Sequence, residues 1–166
     1  AFRDIVQADL PAVKQLHSVL FPVQYTDSFY NRLFTDGYYC LVGVVDSEIV
    51  AVASARAVEQ NGEPSNDAYI MTLGVRVCRA STSAACADHV SRRRLRSQED
   101  YRRQNLGTRS MDAILELLRE RTRCQVAVLH VKLLNQAAVN FYKRYGFASD
   151  PEADYCREHY LIGGKY

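Results

Sequence analysis

A helical pattern over residues 108–121, in which Met111, Ile114, Leu115 and Leu118 share one face, stands between two strand-like runs at residues 69–77 and 125–131. Strands on either side of a helix in this order call for a layered sheet-and-helix architecture and exclude an all-helical bundle or an all-β barrel. The helix is preceded by Tyr101-Arg102-Arg103-Gln104-Asn105-Leu106-Gly107-Thr108. Such a loop is a candidate anion site, because the first backbone N–H groups of a helix lack internal partners and lie at the positive end of its dipole. A pyrophosphate is the expected anion. No Gly-Lys-Ser/Thr occurs and the three-glycine dinucleotide pattern is absent, so neither a nucleotide-triphosphate loop nor a dinucleotide fingerprint is present.

The remaining elements follow from spacing. Asp9 is the expected cap of a first helix over 9–20, with Pro11 in its first turn and Leu10, Val13, Leu16 and Leu20 at helical intervals. Phe21-Pro22 stops it, and Thr26 or Asp27 caps a second, short helix bearing Phe29, Tyr30, Leu33 and Phe34. Residues 39–45, a turn at Asp46-Ser47 and residues 49–58 read as a hairpin, closed by turn-rich residues 61–67. A last helix runs from near Asn135, through Ala138, Phe141, Tyr142 and Tyr145, to Gly146, which suits a left-handed cap. Residues 147–161 supply one or two terminal strands. The order predicts an α/β (α+β) sandwich with a mixed sheet, and 166 residues predict one domain, 1–166.

Composition narrows the class. No apolar run approaches the roughly 18 residues that cross a bilayer, so no membrane association is expected. The five cysteines, Cys40, Cys78, Cys86, Cys124 and Cys156, are odd in number and scattered, which fits a reducing compartment: the cytoplasm, or also the nucleus. Cys86-Ala-Asp-His89 with Cys78 lacks a fourth ligand, so no metal is expected. The net charge of +2 is uneven, with seven Arg against three acids between Arg79 and Arg103. A solvated charged loop is the commoner outcome for such a cluster and a phosphate or ribosomal RNA contact the rarer, so no specific nucleic acid is expected.

The loop before the helix resembles the acyl-coenzyme A loop of the GNAT acetyltransferase superfamily, Arg/Gln-x-x-Gly-x-Gly/Ala, with Arg102, Asn105 and Gly107 in its fixed places. Asn replaces one glycine and is the non-glycine residue that best tolerates positive φ. Phe21-Pro22-Val23-Gln24-Tyr25, Tyr69-Ile70-Met71-Thr72-Leu73-Gly74, Leu129-His130-Val131 and Asn140-Phe141-Tyr142-Lys143-Arg144-Tyr145-Gly146-Phe147 resemble, in order and spacing, the NatE-type N-terminal acetyltransferase catalytic subunits. The resemblance spans nearly the whole chain. It implies a GNAT fold, a mixed and mostly antiparallel central sheet with helices on both faces. Against that pattern residues 78–100 are an insertion, read as a regulatory feature, a ribosome contact or retained non-coding sequence.

Acetylating an amine requires it neutral, yet a peptide α-amino group has a pKa near about 8. A base is needed, and His or a perturbed Tyr suits the task. Tyr69 and His130 lie on the two strands flanking the expected acetyl gap, and the resemblance implies that they deprotonate the amine through ordered water. Simple alternation puts Tyr69, Met71 and Leu73 on one strand face and Ile70 and Thr72 on the other. Backbone at Met71, Thr72 and Leu73 is expected to hold pantetheine and to offer an N–H to the thioester oxygen. Arg102, Arg103, Gln104, Asn105, Leu106, Gly107 and Thr108 are the expected pyrophosphate cradle. By the same resemblance Asn135 contacts pantetheine and Tyr142 stands near the sulfur; a helix cap and a core aromatic are the alternatives. Phe21, Pro22, Val23, Tyr25 and Tyr155 are the implied enclosure of a substrate that begins with Met and a hydrophobic residue, although Cys156 replaces half of a terminal tyrosine pair.

The expected activity is direct transfer from acetyl-CoA to protein N-termini, nascent or mature, with no metal and no acyl-enzyme, since neither Cys78 nor Cys124 has a base in sequence reach. Auxiliary and catalytic subunits of a ribosome-associated NatA-type complex are the implied partners. Two alternatives stay open: lysine ε-acetylation, and a catalytically weak adaptor subunit.

Overall fold

The computed structural model describes residues 1–60, 63–76, 105–150 and 159–165. Within these, seven strands form one sheet: β1 (Phe2–Asp4), β2 (Tyr38–Val45), β3 (Glu48–Gln60), β4 (Glu63–Val75), β5 (Val126–Lys132), β6 (Ala148–Asp150) and β7 (His159–Lys165). Their order is β1-β2-β3-β4-β5-β7-β6, antiparallel except between β4 and β5, so the expected mixed sheet is observed. Four helices accompany it: α1 (Leu10–Leu20), α2 (Asp27–Arg32), α3 (Leu106–Arg121) and α4 (Gln136–Tyr145).

The sheet separates two cores. On one face Met111, Ile114, Leu115 and Leu118 of α3 and Val139 of α4 pack on Ala53, Ala55, Ile70, Ala127 and Leu129. On the other, Val13 and Leu16 of α1 and Tyr30 of α2 pack on Val42 and Val52. The apolar stripe that predicts α3 from sequence is therefore the stripe that it buries.

Local chemistry sets the ends of these elements. Asp46 and Ser47 both adopt positive φ, 49° and 65°, the geometry of a two-residue turn matched to strand twist. Gly146 ends α4 at φ 111°, as its place predicts. Asp9 does something other than cap α1. It lies in a 3-10 turn, and its buried carboxylate accepts the Val6 N–H at 2.9 Å and two Arg3 bonds at 2.6 and 2.8 Å, which holds its pKa below the usual range. Glu63 to Asp67, expected in a turn, belong to β4; Pro64 is tolerated because the β3–β4 register is irregular between Ala57 and Glu59, where one ladder bond is dispensable. Asn61 and Gly62 lie outside the described residues, as does the whole stretch 78–100 expected to be an insertion.

Candidate active site

A bulge in β4 sets the geometry. Ile70 pairs with Ala55 and Thr72 with Ser54, so Met71 is one extra residue on its strand. Simple alternation therefore fails here. Leu73 packs with Ile70 against the α3 face and Met71 against the α1–α2 face. Thr72 turns to the same side as Met71, where its hydroxyl meets that of Ser54 at 2.6 Å in full burial. Pairing of β4 with β5 covers only Asp67–Tyr69 and Val126–Val128. Beyond it the two strands have no ladder, so the β5-facing backbone edge of Met71, Thr72 and Leu73 borders a gap.

Tyr69 and His130 meet on the α1–α2 side of the sheet beside that gap. Along β5 the buried residues Ala127, Leu129 and Val131 belong to the α3 core, which turns His130 to the opposite face. Its Nδ1 lies 3.1 Å from the Tyr69 hydroxyl, with ring centroids 5.4 Å apart. The Arg56 guanidinium stands 5.4 Å from the Tyr69 ring centre, a cation over the π face. Two residues 61 positions apart in sequence thus form one hydrogen-bonded pair. A proton can pass between them without either moving, which is what a base relay needs.

At the other end of the gap α3 begins. Asn105 precedes it at φ 47°, ψ 41°, the left-handed conformation that a glycine would adopt freely, and its side chain makes no cap hydrogen bond to the helix. Gly107 is helical, and a Cβ there would meet only the Phe141 ring, at 3.6 and 3.9 Å. Nothing in the described protein forbids a side chain at that position. The bare Gly107 and Thr108 at the open N–H groups suit a bulky anion that approaches the backbone closely, and Leu106 is buried beneath them. Arg102, Arg103 and Gln104 lie outside the described residues.

Asn135 caps α4, its Oδ1 accepting from the Ala138 N–H at 3.2 Å. Tyr142 packs edge-on to Phe141 and Phe147, and burial pushes its phenol up to about 12, so it keeps its proton. Of the cysteines, Cys40 is buried and its thiol is pushed up to about 12, which excludes a thiolate; Cys124 is also buried. Cys78, Cys86, His89, Tyr155 and Cys156 lie outside the described residues.

Phe21, Pro22, Val23 and Tyr25 form the α1–α2 connection. Pro22 and Val23 are exposed, while Phe21 and Tyr25 pack with Met71 in the second core. Tyr25 stacks on Phe29 at 4.3 Å between ring centres, and the nearby Tyr30 and Tyr69 hydroxyls add to burial in raising its pKa. Sequence reasoning missed the residue at the centre of this group. His17 of α1 is 1% exposed, with rings of Phe21, Tyr25, Phe29 and Tyr30 at 5.1 to 6.1 Å, and burial lowers its pKa to about 4. Its spacing with Val13 and Leu16 marks a buried helix face, a signal that the polar character of the side chain obscures.

A bulged central strand, and a gap between two parallel strands joined through a crossing helix, are features of an acetyltransferase fold. The chain belongs to the Acetyltransferase (GNAT) family, whose sequence profile matches residues 10–147. Among characterised proteins it is similar to N-alpha-acetyltransferase 50 of Danio rerio, 26% identical over 144 residues, covering 87% of this chain and 71% of that protein. It is also 27% identical over 144 residues to the probable N-acetyltransferase san of Drosophila melanogaster, covering 87% of this chain and 65% of that one. In fold it resembles Arabidopsis thaliana Naa50, solved in complex with the bisubstrate analogue CoA-Ac-MVNAL, at a TM-score of 0.66 and 21% identity over 100% of this chain and 98% of that one.

Proposed function

We propose that this chain transfers acetyl from acetyl-CoA to the α-amino group of protein N-termini, with a preference for Met followed by a hydrophobic residue. The observation that carries the reading is the Tyr69–His130 pair, 3.1 Å apart, on the sheet face shared with Phe21, Tyr25 and Met71. A base thus stands beside an apolar enclosure, at the edge of a gap whose far end opens on an anion site. The relatives' names point the same way: one is an N-alpha-acetyltransferase and the other a probable N-acetyltransferase.

Tyr69 and His130 take the proton of the incoming ammonium. The amine nitrogen bonds to the thioester carbonyl carbon, the carbon–sulfur bond breaks, and the second proton shed by the nitrogen balances the one taken up by the leaving thiolate, with Tyr142 the proposed donor. Backbone N–H groups at the bulge stabilise the oxygen that gains charge. No acyl-enzyme is required. The cytoplasm is the proposed site of action, and a ribosome-associated NatA-type complex the proposed assembly.

Kinetics test the base assignment. Tyr69→Phe and His130→Ala should each lower kcat by about 10²- to 10⁴-fold with acetyl-CoA affinity retained, and the double change should be less than additive because the two act as a unit. A His130→Ala enzyme with the parent pH–rate profile contradicts the assignment.

A further inference from the structure

Gly74, the last residue of the Tyr69–Gly74 string, sits where its backbone does not require glycine: its φ is outside the positive range that Gly37 and Gly146 occupy. It pairs with Val52, on the sheet face covered by α1 and α2. A Cβ at residue 74 would fall 2.7 Å from Leu20 Cδ1 and 2.9 Å from Phe21 Cζ, closer than real Cβ atoms approach. A side chain at 74 would have to displace the tips of Leu20 and Phe21. The end of α1 and the first residue of the α1–α2 connection reach into the space that such a side chain would fill.

The same ring also packs on α1. His17 meets Phe21 edge-on at 5.2 Å and Tyr25 at 5.1 Å, while its Nδ1 lies 3.3 Å from the Tyr30 hydroxyl. The His17 Nε2 is buried without a hydrogen-bond partner among the described residues, an arrangement that costs stability and that packing alone would not select over Leu or Phe. A histidine at this position combines a flat ring against two aromatics with one fixed polar contact to α2.

We propose that Gly74 and His17 are positioning residues that clamp Phe21 between strand and helix, set how deeply the Phe21–Tyr25 connection sits on β4, and so decide which second side chain of the substrate is accepted. The proposal rests on the N-terminal acetyltransferase reading above. A side chain at 74 lifts Phe21 and removes the apolar wall that a large second residue needs. A small second residue loses little, because it does not reach that wall. The selection acts on peptide binding, not on acetyl-CoA or on the base.

The test compares kcat/KM for peptides beginning Met-Leu and Met-Ala in the parent and in Gly74→Ala, His17→Asn and Gly74→Ala/Phe21→Leu. Gly74→Ala should raise KM for Met-Leu about tenfold, leave Met-Ala within about threefold, and keep acetyl-CoA affinity, so the Met-Leu to Met-Ala ratio collapses. Adding Phe21→Leu, which shortens the ring that the new Cβ meets, should recover part of that ratio. His17→Asn, which can keep the Tyr30 contact and removes the ring, should lower the ratio in the same direction. An unchanged ratio in Gly74→Ala, or an equal loss on both peptides with no recovery in the double variant, overturns the proposal. A parent protein that acetylates neither peptide defeats the functional reading instead, and the two failures are distinguishable.

Discussion

Asn105 holds the left-handed conformation at the mouth of α3, a strain of roughly 1 kcal/mol for most residues that Asn tolerates and Gly does not feel. Asn105→Gly should therefore keep or modestly tighten acetyl-CoA binding, and Asn105→Val should weaken it, as read by calorimetry. Gly107 gives a sharper contrast because the fold has room for a methyl group there. Gly107→Ala should raise thermal stability by up to about 1 kcal/mol through helix propensity while lowering acetyl-CoA affinity. Unaltered affinity removes this helix end from the cofactor site. The replacement of glycine by Asn is readable in the sequence because residue chemistry limits which side chains enter positive φ. The Tyr69–His130 contact is readable only through their matching strands, since 61 residues separate them. The clamp on Phe21 is not readable at all: a missing Cβ at Gly74 and a histidine in a helix acquire meaning only from what packs on them.

At the scale of elements, α1 carries a titratable group into the core. The folded His17 pKa of about 4 lies below its ordinary 6.5, so between these values the unfolded chain binds a proton that the folded chain refuses. Stability should fall as pH drops from 6.5 towards 4, by roughly 3 kcal/mol at the limit, and the loss should be complete near pH 4. Denaturant midpoints across that range should show the slope in the parent and a shallower one in His17→Asn; identical slopes contradict the burial account. Helix α3 is legible from periodicity, α4 from periodicity and caps, and the β2–β3 hairpin from its β-branched residues. Strand β1 is not, because Phe2–Asp4 is three residues long and is held by β2, with the Phe2 ring seated over Gly43. The β4 bulge is equally hidden, since period-two reasoning has no term for an extra residue.

For the whole molecule, the crossing from β4 through α3 to β5 sets the layout of the gap. It leaves the two strands paired over only three residues and places the helix N-terminus beyond their open ends. Arg121 at the far end of α3 binds Asp4 of β1 at 2.7 and 3.1 Å, a contact across 117 residues. Both partners are half exposed, so the tie orients the helix more than it stabilises it. The layered order of strands and helices is visible in the sequence because each element buries one face, whereas the opening between β4 and β5 arises only when the sheet is assembled. On the proposed function, this opening serves an apolar peptide N-terminus. Phe21, Pro22 and Val23 offer apolar walls and no cation, and burying a leucine side chain contributes about 1.5–3 kcal/mol. The direct measurement is competition, with acetyl-CoA, among peptides beginning Met-Leu, peptides beginning Asp or Glu, and N-terminally blocked peptides containing lysine. Met-Leu should be acetylated at least about tenfold faster in kcat/KM than either rival. Faster acetylation of acidic N-termini or of internal lysines, or acetyl-CoA binding without turnover of any peptide, contradicts it.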